Sequence, residues 1–168
     1  VIVIGFLDIF KDLGTGAAII QIQTPSEELK SSIFWINILI GLVITAIIYY
    51  SSPVLASIYN SPEVQPVLKV LSITFFISSF SILQKFLLEN EFNFPKFSTI
   101  ELISSSVGFS VAIVMAFKGF GVWSLVARSL LSALFITVLL WIWNRWIPSL
   151  EFSRNSFKEL FGFGSKLL

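Results

Sequence analysis

The sequence has no cysteine and no histidine. Their absence excludes disulfides, thiol nucleophiles, imidazole acid–base chemistry and any Cys- or His-ligated metal. Charge is also scarce. Only 12% of the 168 residues are Asp, Glu, Lys or Arg, against roughly 25% in soluble domains. The net charge of +1 gives no sign of nucleic-acid binding. Oxygen-only metal sites would need an acidic cluster, and no run of Asp and Glu has that spacing, so neither a metal nor a cofactor is expected. What fills the chain instead is apolar: 55% hydrophobic residues and a mean hydropathy of +0.89. Such a chain cannot clothe itself in a hydrated surface, and lipid is its expected solvent.

A transmembrane helix needs roughly 20 mostly apolar residues. Segments 32–50, 67–88, 97–117 and 122–143 meet that length, and 1–10 reads as the last part of a further span. The expected fold is therefore all-α: a polytopic transmembrane bundle over 1–150, with an amphipathic cytoplasmic linker over 151–168 leading into another span. The sequence starts at Val1 and stops after Gly-Ser-Lys-Leu-Leu, each within or beside an apolar segment. An internal piece of a longer membrane protein is expected.

Punctuation between the spans is explicit. Thr24-Pro25-Ser26-Glu27 reads as a capping box with proline at the first helical position, predicting a helix from Pro25. Ser61-Pro62-Glu63 opens the next helix, with Pro66 placed to kink its first turn or shift its start. Gly119 and Gly121 predict a tight turn. Ser156-Phe157-Lys158-Glu159 caps a short amphipathic helix in which Phe157, Leu160, Phe161 and Phe163 oppose Lys158 and Lys166.

Basic residues set the orientation. Connections on one side hold Lys11, Lys30, Lys85, Lys96, Arg145, Arg154, Lys158 and Lys166, eight in all, and those on the other hold two, Lys69 and Lys118. This bias places the first set in the cytoplasm. Trp35, Trp123, Trp141, Trp143 and Trp146 fall near predicted span ends, where amphipathic rings prefer to sit.

Polar residues inside this apolar text are the functional candidates. Asp8 and Lys11 are three residues apart on one helical face and can pair. Either they end the first span in headgroup territory or they line the mouth of a polar cavity; Gly14 and Gly16 follow them. Arg128 lies within the fifth span, where a charge costs at least ~2.5 kcal/mol. It must face the bundle interior, pair with a carboxylate such as Glu101, or snorkel outward. Glu101, read as lying one turn into its helix, suits the helix dipole, with proton or cation coupling as the other reading. Asn37 and Gln84 serve interhelical hydrogen bonds or touch substrate. Ser78, Ser79, Ser81, Ser104 to Ser106, Gly41 and Gly108 suit close helix packing.

The runs GFLDIFKDLGTGAAIIQ, FWINILIGLVI, GFGVWSLVARSLL and FSRNSFKELFGFGSKLL resemble the polysaccharide transporter family, the lipid-linked oligosaccharide flippases of lipopolysaccharide and exopolysaccharide synthesis, which are related to multidrug and toxin extrusion proteins. The resemblance covers essentially the whole chain. It implies part of one lobe of a two-lobed carrier around a central cavity, in the inner (plasma) membrane. It implies a lipid-linked oligosaccharide substrate, membrane lipids and other polysaccharide-assembly proteins as partners, and no chemistry on the substrate. Arg128, Asn37, Gln84, Asp8 and Lys11 become candidates for the cavity wall and Glu101 for coupling. Cation-coupled multidrug export and a membrane-embedded polysaccharide polymerase or ligase are the alternatives. The enzyme alternative would call for large outer loops with arginine or histidine, whereas the predicted outer connections are short.

Overall fold

The computed structural model describes residues 26–90, 94–144 and 146–149. Asp8, Lys11, the 1–10 segment, Thr24, Pro25 and the 151–168 linker lie outside the described residues. Those described are helical apart from short turns and the 146–149 segment, with no strand among them. The elements are α1 (Glu27–Ile58), α2 (Val64–Ser79), α3 (Ile82–Asn90), α4 (Phe94–Phe117) and α5 (Val122–Asn144). α1, α4 and α5 are each long and apolar enough to cross a membrane, and α2 and α3, bent by 41° at their break, meet that test only together, as one broken span or a re-entrant loop. The chain runs up and down, with Glu27, Asn90, Phe94 and Asn144 at the lower end. α1 packs on α2, α2 on α5, and α5 on α4, while α3 touches α1, α4 and α5.

α1 begins later than the Thr24–Pro25 box predicts. Ser26 is extended and is the N-cap, its hydroxyl accepting from Leu29 N–H at 3.3 Å. This cap puts Glu27 and Glu28 in the first turn, where the helix dipole favours them. α1 also outruns segment 32–50 at its far end, passing through Pro53 to Ile58. Pro53 has no N–H for the Tyr49 carbonyl; the Ser52 hydroxyl donates to that carbonyl instead, at 2.7 Å. The helix stops at Asn60, which takes a left-handed φ of 49°. Asn60 N–H then reaches Ser57 O and Ser61 N–H reaches Ala56 O, the paired bonds of a Schellman cap. α4 closes in the same way. Gly119 has φ 82°, its N–H bonds Ala116 O, and Phe120 N–H bonds Met115 O.

Segment 67–88, expected as one span, is divided. α2 starts at Val64, so Pro66 falls in a first turn whose N–H groups need no helical partner. α2 then stops at Ser79 and α3 resumes at Ile82. Hydroxyl groups compete for the carbonyls here: Ser79 donates to Phe76 O and Ser81 to Ser78 O, each at 2.7 Å. Such back-bonding bends helices.

The burial pattern is inverted relative to a water-soluble bundle. α4 buries Ile100, Ser104, Gly108 and Ala112, a four-residue repeat of mostly small side chains. It exposes Leu102, Phe109, Ile113, Val114 and Phe117. Small residues let backbones approach, and large apolar ones meet hydrocarbon. A Cβ on Gly108 would stand 2.9 Å from the Arg128 carbonyl oxygen, and one on Gly41 would stand 2.5 Å from Ser79 Cβ. The principal apolar cluster lies at the lower end. Phe34 makes edge-to-face contacts with Trp35, Phe80, Trp141 and Trp146, at ring distances of 5.5 to 6.2 Å, beside Leu29, Ile33, Leu83 and Phe86.

Candidate functional site

Arg128 sits six residues into α5, about 9 Å along the axis, and is half-buried. Its guanidinium carbon lies 3.8 Å from the centre of the Phe109 ring on α4. Stacking on the ring face leaves the in-plane N–H donors free to meet an anion at the edge. Among the described residues Arg128 forms no ion pair, so the pairing with Glu101 considered above is not made. Two lysines also rest on rings. Lys69 Nζ is 5.1 Å from the Tyr49 ring centre and Lys85 Nζ is 5.2 Å from that of Phe97. Lys85 additionally approaches Glu89 at 3.9 Å.

Glu101 is not in the first turn of its helix. α4 starts at Phe94, so Glu101 lies about two turns in and is exposed. At that depth the dipole gives it little support. Glu101, Ser105 and Phe109 recur at four-residue intervals and share one flank of α4, next to the buried Ser104–Gly108 face. A polar strip therefore runs along α4 from Glu101 through Ser105 to Phe109 with its stacked Arg128. Glu101 and Phe109 are eight residues apart, about 12 Å along the axis.

Asn37 and Gln84 are not on this strip but on α1 and α3. Asn37 is 3% exposed and Gln84 0%. Gln84 Nε2 donates to Trp146 O at 3.2 Å, and Asn144 Nδ2 donates to Gln84 O at 3.3 Å. Asn37 Nδ2 and Gln84 Oε1 have no hydrogen-bond partner among the described residues.

Sequence reasoning missed the strap that follows α5. Trp146 Nε1 donates to Glu27 Oε2 at 2.8 Å, and Trp35 Nε1 donates to Ser149 O at 3.2 Å. Ser149 donates through both its N–H and its hydroxyl to Ser31 Oγ, each at 3.0 Å. Segment 146–149 is thereby fastened across the start of α1. The tryptophans were legible as interfacial anchors, but their individual acceptors are tertiary facts with no local signal.

Long apolar helices with small residues at their contacts and cations carried on aromatic rings define a polytopic membrane protein. The family described as "Polysaccharide biosynthesis protein" matches residues 1–168, and the chain belongs to that family. It is 29% identical over 162 residues, 95% of its length, to the teichuronic acid biosynthesis protein TuaB of Bacillus subtilis (strain 168). It is 30% identical over 164 residues, 96% of its length, to the succinoglycan biosynthesis transport protein ExoT of Rhizobium meliloti (strain 1021). It is 27% identical over 172 residues, 99% of its length, to the lipopolysaccharide biosynthesis protein WzxC of Escherichia coli (strain K12). The chain spans about a third of the length of these relatives: 34%, 33% and 34%. No solved structure matches it.

Proposed function

We propose that this chain forms part of one lobe of a carrier that moves lipid-linked oligosaccharide from the cytoplasmic to the outer leaflet of the inner membrane during surface polysaccharide synthesis, without chemistry on the substrate. In this reading the lower end of the bundle is cytoplasmic, as the lysine and arginine bias favours. The carrier alternates between two accessible states around a central cavity, and other polysaccharide-assembly proteins supply and consume its cargo.

The observation that carries the proposal is Arg128. A guanidinium within a span, unpaired with carboxylate among the described residues and stacked on Phe109, presents in-plane donors that suit the phosphate oxygens of a lipid-linked sugar. The Glu101–Ser105 strip beside it offers hydrogen-bonding groups to the sugars, and Glu101 is the candidate for proton or cation coupling. Asn37 and Gln84 are not on that strip, and Asp8 and Lys11 are proposed for the cytoplasmic mouth on sequence grounds alone.

A leaflet assay in the full-length parent tests this reading. Deletion should trap lipid-linked repeat units in the cytoplasmic leaflet, and normal outer-leaflet delivery would count against the proposal. Arg128→Ala should lower delivery more than Arg128→Lys. If Arg128→Ala leaves both expression and delivery unchanged, the anion contact is wrong.

A further inference from the structure

The bend between α2 and α3 is held by two side chains of one neighbouring helix. Trp141 Nε1 donates to Phe80 O at 3.0 Å and Asn144 Nδ2 to Gln84 O at 3.3 Å; Thr137 Oγ1 lies 3.2 Å from Ile77 O, but its single proton is nearer Ala133 O on its own helix, at 2.8 Å. These contacts recur along α5 at steps of four and three, and along the facing carbonyls at steps of three and four. The two segments therefore run parallel and in register, one helical turn per rung. In an unbroken helix Ile77 O would accept from Ser81 N–H and Phe80 O from Gln84 N–H. Here Ser81 N–H goes to Ser78 O and Phe80 N–H to Ile77 O instead. Ile77 O therefore keeps a backbone donor in the bent state, whereas Phe80 O has two possible sources of donor, Trp141 while the span is bent and Gln84 N–H when it is straight. Exchange between the two sources loses little hydrogen bonding, as a two-position element requires.

A second observation shows what the bent arrangement leaves unsatisfied. Among the described residues four buried side-chain atoms lack a partner, Ser32 Oγ, Ser104 Oγ, Asn37 Nδ2 and Gln84 Oε1, and the last two are a donor and an acceptor. Phe34 and Gly41, one turn to either side of Asn37, pack against Phe80 and Ser79 respectively. Asn37 therefore faces the joint. Buried polar groups without partners are costly in hydrocarbon surroundings, and a complementary pair left open in one state is explained if a second state closes it.

We propose that Phe80–Ser81 is a two-position hinge: Trp141 and Asn144 latch the bent state, and straightening returns the Phe80 carbonyl to the helix while the Gln84 side chain leaves Trp146 to pair with Asn37. α3 has nine residues, a lever of about 13 Å. Straightening a 41° bend swings its tip at Asn90 by about 9 Å. The hinge rests on the carrier reading for its purpose, but its geometry is tested without any substrate.

Spin labels at positions 28 and 90 of the full-length protein in lipid nanodiscs report the swing. Trp141→Phe with Asn144→Ala removes both latch donors. This double variant should move the label distance distribution by several ångströms toward a second population, on the scale of the ~9 Å swing. A distribution identical to that of the parent would overturn the hinge. Ile82→Pro tests the opposite constraint. Ile82 is the first residue of α3, where a missing N–H is tolerated, whereas in a straight span its ring would collide with the Ser78 carbonyl. Ile82→Pro should keep the parental bent-state distance and lose transport. Transport at the parental rate would overturn the proposal, and if this variant fails to insert, the distances in the double variant decide. Unchanged distances sink the hinge alone, while normal leaflet delivery on deletion sinks the carrier reading alone.

Discussion

The indole N–H of Trp141 lies 3.0 Å from the carbonyl of Phe80, the residue at which the second span breaks. A broken helix in lipid must find donors for the carbonyls it frees, because no water is present to serve them. Trp141→Phe keeps an aromatic ring against Phe34 but removes the donor together with the five-membered half of the indole. The expected loss is at least about 0.5–1.5 kcal/mol, the usual contribution of one hydrogen bond, with the lost packing added, read as a lowered Tm of the full-length protein in detergent. A Tm equal to that of the parent would show that this bond does not stabilise the break.

Gly41 and Gly108 each lie at a close helix contact. A Cβ at position 108 would meet the Arg128 carbonyl oxygen at 2.9 Å, and one at position 41 would meet Ser79 Cβ at 2.5 Å. Backbone cannot move aside as a flexible side chain can. Gly108→Leu and Gly41→Leu are each expected to cost about 1–3 kcal/mol or more by overpacking, measured as loss of folded protein after detergent extraction. Gly119→Leu fails for a different reason. Nothing lies within 4 Å of its Cβ position, but its φ is 82°, so the strain is local and the cost should be smaller, about 1–2 kcal/mol.

Arg128 and Phe109 should behave as a coupled pair. Arg128→Lys loses the planar stack and Phe109→Leu loses the ring face. A double-mutant cycle on thermal stability is expected to return a coupling of about 0.5–2 kcal/mol. Zero coupling would mean that the stack is incidental, and Arg128 would then have to be explained by the cavity alone.

The strap after α5 gives a local readout. Ser31 Oγ accepts from both the N–H and the hydroxyl of Ser149. Ser31→Ala removes that acceptor, and loss of about 1 kcal/mol of local protection corresponds to roughly fivefold faster amide exchange. Mass spectrometry of the peptide containing Ser149 measures it. Exchange unchanged in the variant would show that Trp35 and Trp146 hold the strap without Ser31.

Helix type and lipid as solvent were legible because they depend on composition over long windows, as in Val122–Asn144. The turn at Gly119 was legible too, since a left-handed φ needs glycine or its few substitutes. The break at Phe80–Ser81 was not. Ser78, Ser79 and Ser81 read as packing residues, and nothing local distinguishes a hydroxyl that packs from one that takes a carbonyl out of the helix. The one available signal was on another helix, where Thr137, Trp141 and Asn144 form a polar stripe at steps of four and three. Its meaning required knowing that α5 runs beside α2 and α3. The place of Glu101 was misjudged because helix boundaries are the least certain part of a periodicity reading, and three residues at the start of α4 shift it by almost a turn.

Asn37 offers the sharpest separation of stability from function. Its amide nitrogen is buried and unpartnered in the bent arrangement, so it contributes no hydrogen bond there while carrying the cost of desolvation. Asn37→Leu, which keeps the branching with a somewhat larger side chain, is expected to leave Tm unchanged or raise it, by an amount equivalent to about 0–2 kcal/mol. If the side chain is needed only in a second conformation, the same variant should reduce transport while it folds as well as the parent. A large drop in Tm would show instead that the amide is already satisfied in the resting protein, and that its open donor is not reserved for another state.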